Sequence, residues 1–170
     1  MRNIQGVLAS LALFSLTAQA LTVTTQSFQV NATITPGCSV TTGSGGVLGT
    51  LDFGTRNGVD SSRVTTSFVP NTSLSLACTP GVSLSMSIDG GQTYTTVRNM
   101  VRSGGTERVP YRLYSASTLA AGSEIGVNQA VTVAYSNSNS ITLPIYGAAQ
   151  LTGFSPAGTY TDRLTVTLSW

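Results

Sequence analysis

Few residues in this sequence could do chemistry, and only two cysteines have a context that predicts a bond. The chain of 170 residues holds Cys38 and Cys78 and no other cysteine. It contains no histidine and no lysine, and its six acidic residues are scattered, mostly at predicted turns. Two thiols are too few ligands for a metal site, and acid–base catalysis needs a titratable group or paired carboxylates. We therefore expect no enzyme, no cofactor, no metal and no small-molecule substrate.

The N-terminal residues place these cysteines in an oxidising compartment. Residues 1–20 combine a basic start, a short apolar run and a small-x-small cleavage triplet. This pattern is typical of a secretory signal, and the apolar run is too short to span a bilayer. An even number of cysteines in a secreted chain favours a disulfide. We predict a mature chain from Leu21, export through the inner membrane, and a bond between Cys38 and Cys78.

The rest of the composition predicts an all-β domain. Ser, Thr and Gly dominate the polar positions, which suits half-buried strands joined by tight turns. Alternation is clear in Val82–Ile88, where Ser lies between the apolar residues, and it recurs at Ile141, Leu143 and Ile145. Eight or nine such short strands at even spacing indicate a β-sandwich or barrel. A net charge of +2 makes nucleic acid an unexpected partner.

The last residues predict a strand with an unprotected edge. Leu164, Val166, Leu168 and Trp170 alternate with polar residues, which indicates one buried face. No Pro, charge or later segment blunts the edge, although proteins normally protect such edges. Either an earlier strand of this chain or a strand of another chain is expected to pair with it.

The mature N-terminus has a second alternating stretch. Phe28, Val30, Ala32 and Ile34 share one parity, with polar residues between them. A Thr-Pro-Gly turn then separates this stretch from Cys38. Residues 21–34 therefore predict the first strand of the mature chain.

A cluster of arginines allows two interpretations. Four of the eight arginines lie close together in the sequence, in or just after a polar stretch over residues 92–109 that predicts a weak strand and a loop: Arg98, Arg102, Arg108 and Arg112. They could form a patch that faces a partner, or they could belong to a solvated loop.

Five motifs in order resemble a known family. They are Phe28-Gln-Val-Asn-Ala-Thr-Ile-Thr-Pro-Gly-Cys38, Leu51-Asp-Phe-Gly54, Leu74-Ser-Leu-Ala-Cys78, Pro144-Ile-Tyr-Gly147 and Gly158-Thr-Tyr-Thr-Asp162. In this order and spacing the chain is similar to the spore coat protein U-like family, which includes subunits of archaic, Csu-type chaperone–usher pili. The resemblance covers essentially the whole mature chain.

The resemblance implies an immunoglobulin-like β-sandwich that lacks its last strand and is completed by a donor strand. Residues 35–170 would form the pilin domain, with Leu164, Val166, Leu168 and Trp170 along the acceptor groove. Residues 21–34 would be the donor segment, with Phe28, Val30, Ala32 and Ile34 as the pegs that enter a neighbour's groove. Two alternatives remain. Either residues 28–34 are donated, or they form this domain's own first strand and only residues 21–26 are donated.

The resemblance also implies partners and a location. They are a periplasmic chaperone, an outer-membrane usher and neighbouring subunits in a head-to-tail polymer. The chain would pass through the periplasm into a pilus on the cell surface, for attachment and biofilm formation. Two other functions fit the sequence, a secreted coat protein that self-associates on a cell or spore surface and a soluble carbohydrate-binding sandwich.

Overall fold

The computed structural model describes residues 29–42 and 46–170. The chain divides into two units, Met1–Ile34 and Thr35–Trp170. In the first unit only residues 29–34 are described, and none of them belongs to a strand, so the strand predicted over residues 21–34 is not found in this described part. The predicted signal at residues 1–20, the alternative donor stretch at residues 21–26 and the predicted peg Phe28 lie outside the described residues.

The regular secondary structure in the described part of the second unit is almost entirely β. Its single short helix is a 3-10 turn at Ala121–Ser123. Its strands are β1 Cys38–Thr41, β2 Gly49–Thr50, β3 Arg63–Ser67, β4 Val69–Pro70, β5 Ser75–Cys78, β6 Leu84–Ile88, β7 Arg98–Arg102, β8 Arg108–Tyr114, β9 Val131–Val133, β10 Tyr146–Gln150, β11 Tyr160–Thr161 and β12 Val166–Ser169. The all-β prediction is confirmed.

The strands pair in two main sheets and two short ribbons. The larger sheet has the order β11-β7-β8-β10-β3, and the smaller has the order β12-β6-β9. The ribbons are β1-β5 and β2-β4. Every strand pair is antiparallel. Antiparallel sheets can bury one face and leave the other in water, which is the pattern that the alternating sequence requires.

The core lies between the inner faces of the two main sheets. On β6, Leu84, Met86 and Ile88 are each only 1% exposed, and the serines between them lie on the other face. On β8, Val109, Tyr111 and Leu113 are buried in the same cluster. Each such side chain contributes roughly 1.5–3 kcal/mol through burial. The predicted sandwich is confirmed, and β6 coincides with the clearest alternation in the sequence.

One predicted strand is wrong. Ile141, Leu143 and Ile145 are buried as their alternation predicts, but residues 141–145 form no ladder, and the strand β10 begins at Tyr146 instead. Pro144 has no N–H to donate, which removes it from a regular ladder. The backbone N–H of Ile141 bonds to the carbonyl of Leu76, so this stretch contacts a different strand from its continuation.

Candidate functional site

The terminal strand β12 is an edge strand. Its only strand partner in the described residues is β6, with Val166 opposite Ile88 and Leu168 opposite Met86. Its other edge carries backbone N–H and C=O groups that are available to a further strand. We call this edge, with the side chains that border it, the β12 edge.

The side chains of β12 are less covered than those of its neighbour. Leu164, Val166 and Leu168 pack against the core but stay half-buried, whereas the apolar residues of β6 are 1% exposed. Thr165 and Thr167, on the other parity, are exposed. The apolar residues of this segment therefore face the core, as their alternation predicts. They remain only partly covered by the rest of the described chain.

Trp170, which follows β12, lies close to the start of the second unit. It is 57% exposed, and its indole Nε1 lies 3.7 Å from the position that a Cβ would take at Gly37. Farther along the chain, Phe53 packs on Tyr111 with ring centroids 6.2 Å apart. Gly37 is therefore near the C-terminal end of β12, whereas Phe53 packs on the larger sheet.

Gly147 explains how Leu51 and Phe53 reach the core. A Cβ at Gly147 would lie 2.5 Å from Leu51 Cδ2 and 2.9 Å from Phe53 Cζ, closer than real contacts allow. Because Gly147 has no side chain, these two residues can lie against the inner face of β10. The Leu-Asp-Phe-Gly and Pro-Ile-Tyr-Gly motifs thus meet in space.

Asp162 joins the start of the terminal strand to the core. Its Oδ2 accepts a 2.7 Å hydrogen bond from the Tyr111 hydroxyl, and its Oδ1 accepts bonds from the backbone N–H groups of Gln92 and Arg163. Gly91 must be glycine beside it, since a Cβ there would lie 2.1 Å from Oδ2 and its φ is +79°. Burial and the bond to Asp162 raise the pKa of Tyr111 well above its usual range, so the phenol stays a donor.

Asp89 also binds the backbone just before β12. Its Oδ1 accepts hydrogen bonds from the backbone N–H groups of Thr165 and Gly91, each 3.0 Å long. Burial alone would raise the pKa of this carboxyl, but the hydrogen bonds from Thr165 and Gly91 bring it below its ordinary value. Two carboxylates therefore attach the entry of β12 to the turn at residues 89–92.

The two cysteines form the predicted disulfide. Cys38 and Cys78 lie directly opposite each other at one end of the β1-β5 ribbon, and their sulfur atoms are bonded. Next to them, the Gly37 carbonyl accepts a 2.8 Å bond from the N–H of Thr79. The point where the chain enters the sandwich is therefore fixed both covalently and by hydrogen bonds.

The predicted donor pegs that the structure describes are exposed. Val30 and Ile34 are 83% and 86% exposed, and Ala32 is exposed as well. These three residues belong to the first unit, and the predicted acceptor residues belong to the second.

Neither interpretation of the arginine cluster describes Arg98. Arg98 is 4% exposed, and its guanidinium donates to the carbonyls of Ile88, Asp89, Ile125 and Gly126. Burial lowers its pKa, but four carbonyl acceptors solvate the cation. Because β7 and β6 belong to different sheets, this one side chain ties the two sheets together.

Two other arginines of the cluster form ion pairs. Arg102 pairs with Glu107 at 2.8 Å, and Arg112 pairs with Glu124 at 2.5 Å. Within residues 29–42 and 46–170, no group of three or more His, Cys, Asp or Glu could hold a metal ion. In the same residues, no helix is long and apolar enough to cross a membrane.

Comparison with known proteins identifies the family. Residues 24–167 match the family described as Spore Coat Protein U domain. The chain belongs to this family. The match spans most of the sequence, from within the predicted donor segment at residues 21–34 to the middle of β12. It confirms the family that the sequence motifs indicated.

Comparison with solved structures finds similar chains, among them two from chaperone complexes. One is a chain of the CsuC–CsuE chaperone-tip adhesion subunit pre-assembly complex from archaic chaperone–usher Csu pili of Acinetobacter baumannii, with a TM-score of 0.51 and 16% identity. The similarity covers 81% of the present chain and 41% of that one, so the domain spans less than half of its length. A chaperone–tip adhesin complex of CFA/I fimbriae biogenesis is also found, with a TM-score of 0.37 and 14% identity over 79% of this chain and 41% of that chain. No curated protein matches the sequence.

Proposed function

We propose that this Spore Coat Protein U domain is a structural subunit of a chaperone–usher pilus and polymerises by donor-strand exchange. One observation carries the proposal. The β12 edge has backbone groups open to a further strand, and its core-facing residues Leu164, Val166 and Leu168 remain half-buried beside the fully buried β6. An additional strand along this edge would complete both the hydrogen-bond ladder and the cover of the core.

The donor in this proposal is the segment of residues 28–34 from a neighbouring subunit. Burial of Phe28, Val30 and Ile34 would contribute roughly 1.5–3 kcal/mol each, with less from Ala32. Each new backbone hydrogen bond adds about 0.5–1.5 kcal/mol, whereas ordering the strand costs about 1–2 kcal/mol per residue. The balance is favourable only where the side chains fit closely, so apolar residues on one parity are required. Donation of residues 21–26 is the alternative within the same mechanism.

The arrangement of donor and acceptor sets the form of the assembly. They are different surfaces of one chain, so the contact between two copies is heterologous and does not close on itself. A heterologous contact that does not close produces a filament, in which each subunit receives one strand and gives one strand.

A chaperone is needed before exchange, because an open apolar edge would otherwise associate with any available strand. In the proposal, a periplasmic chaperone occupies the β12 edge first, and its basic residues hold the carboxylate of Trp170. An outer-membrane usher then replaces it with the donor segment of the next subunit. The family and the fold shared with a chain of a chaperone–subunit complex support this route. The finished pilus on the cell surface would serve attachment and biofilm formation.

Periplasmic expression with and without the cognate chaperone tests the proposal. With the chaperone, we expect a soluble complex of one subunit and one chaperone. Without it, we expect aggregation or polymers that exchange strands. A stable, soluble monomer without the chaperone would contradict the proposal and would favour the carbohydrate-binding sandwich. Ordered self-association that needs neither chaperone nor residues 21–34 would favour the coat protein.

A further inference from the structure

The outer face of the larger sheet carries three of the chain's eight arginines. On β8, Val109, Tyr111 and Leu113 point to the core, so Arg108, Arg112 and Tyr114 point outward. Ala148 of β10 lies opposite Arg112, and Gln150 of β10 lies opposite Arg63 of β3. Directly paired residues share a face, so this outer face holds three arginines: Arg63, Arg108 and Arg112.

Only one carboxylate pairs with these arginines in the described residues. Glu124 bonds to Arg112, whereas no acidic side chain forms an ion pair with Arg63 or Arg108 in that part of the chain. Most other acidic residues accept hydrogen bonds from nearby backbone, as Asp52, Asp60, Asp89 and Asp162 do. The face is therefore positive in a chain that is otherwise poor in charge, and it complements a negatively charged partner.

The same face contains a shaped depression. A shallow cavity of about 360 Å³ is lined by Arg63, Arg112, Tyr114, Pro110, Ala148 and Gln150. The small side chain of Ala148 lies between the two longer arginines, because it is opposite Arg112 and two residues from the partner of Arg63. Small and apolar residues thus form part of the lining, together with two guanidinium groups.

Tyr114 positions one of these guanidinium groups. Its ring is buried, the Arg63 Cζ lies 5.7 Å from the ring centroid, and Arg63 Nη2 donates a 3.3 Å bond to the hydroxyl. Stacking on an aromatic ring restricts the arginine while leaving further N–H groups for a ligand. Arg112 likewise uses one nitrogen for Glu124 and retains other donors.

We propose that this depression binds a carboxylated sugar of an acidic polysaccharide. A planar guanidinium matches a carboxylate with two parallel hydrogen bonds. A pyranose ring has an apolar face that fits against Pro110 and Ala148, and hydroxyl groups that fit Gln150. The site lies on the larger sheet, away from the β12 edge on the smaller sheet, so it is independent of how the chain polymerises.

Binding of a galacturonate oligosaccharide to the full secreted chain, purified as its complex with the chaperone, tests the site. Calorimetry at about 0.15 M ionic strength, where the Debye length is about 8 Å, should detect binding of the galacturonate oligomer and none of a neutral galactose oligomer of equal length. Arg63→Gln and Arg112→Gln should each weaken binding by roughly tenfold or more, the loss expected for a charge-assisted hydrogen bond. Arg63→Lys, which keeps the charge but not the planar fork, should lose part of the affinity and covers the case in which Arg63→Gln does not fold.

A matched variant and a second polyanion decide between this site and general charge attraction. Arg163→Gln makes the same charge change at an exposed position before β12 and should leave binding unchanged. Polyglutamate of equal charge should bind much more weakly, since it has carboxylates but no sugar ring. Equal binding of polyglutamate would overturn the proposal in favour of an acidic peptide. An equal loss in Arg163→Gln, or no binding of galacturonate at all, would also overturn it.

Discussion

Replacement of Asp162 by Ala should destabilise the sandwich mainly through Tyr111. The substitution leaves the buried Tyr111 hydroxyl without the acceptor that lies 2.7 Å away. A buried donor without a partner costs about 1–3 kcal/mol. The N–H groups of Gln92 and Arg163 also lose their acceptor, but both residues are exposed and water can replace it. We expect a total loss of about 1–3 kcal/mol in the free energy of unfolding.

Urea denaturation followed by the fluorescence of Trp170, the sole tryptophan, measures this loss. Tyr111→Phe removes only the hydroxyl and should cost about 1 kcal/mol. The double variant should cost less than the sum of the single ones, because both remove one bond, and the coupling should be about 1–2 kcal/mol. Arg163→Ala, beside Asp162 but without a side-chain role there, is the control. Additive effects, or a loss under about 0.5 kcal/mol in Asp162→Ala, would refute the attachment of β12 through this carboxylate.

Three further predictions concern the disulfide, the terminal strand and pH. The secreted protein should contain no free thiol by mass spectrometry, and replacing both Cys38 and Cys78 by Ala should cost about 4 kcal/mol of stability; two free thiols in periplasmic material would contradict this. Deletion of residues 168–170 should abolish co-purification with the chaperone, whereas Thr167→Ala should be mild, and equal recovery of both would contradict the role of β12. The pKa of the Asp89 carboxyl is lowered in the folded state. The stability that this carboxylate contributes should therefore be present above its ordinary pKa of about 3.9 and be lost as pH falls through the lower folded value. The melting temperatures of the wild type and Asp89→Asn should become equal in acid, and a difference that stays constant with pH would be evidence against this role.

Alternation predicted the strands whose two faces differ most. The serines of β6 and the residues Thr167 and Ser169 of β12 lie on the opposite face from their apolar neighbours, as a period of two requires. It could not predict whether an alternating segment joins a ladder. Residues 141–145 alternate and bury their apolar side chains, but Pro144 and a contact with β5 keep them out of the neighbouring strand.

The hydrogen bonds that join β12 and the two sheets could not be predicted from the sequence. Arg98 lies in a polar part of the sequence, and only the meeting of β6, β7 and the stretch at residues 125–126 gives it four carbonyl acceptors. The bond between Tyr111 and Asp162 joins residues 51 positions apart. Such contacts depend on which loops meet in the folded chain, so they produce no periodic pattern in the sequence. The motif Gly-Thr-Tyr-Thr-Asp was visible as a family feature, but its physical role was not.

The exchange of donor strands is tested most directly by one pair of charged variants in the donor segment. Val30→Asp places a charge on the parity of the proposed pegs, and Asn31→Asp places the same charge on the opposite parity. An unpaired charge in an apolar groove costs several kcal/mol, so we expect Val30→Asp to form the chaperone complex but no fibres by electron microscopy. Asn31→Asp should form fibres of normal length and number. Normal fibres from Val30→Asp, or equal failure of both variants, would contradict donation of residues 28–34 through this face.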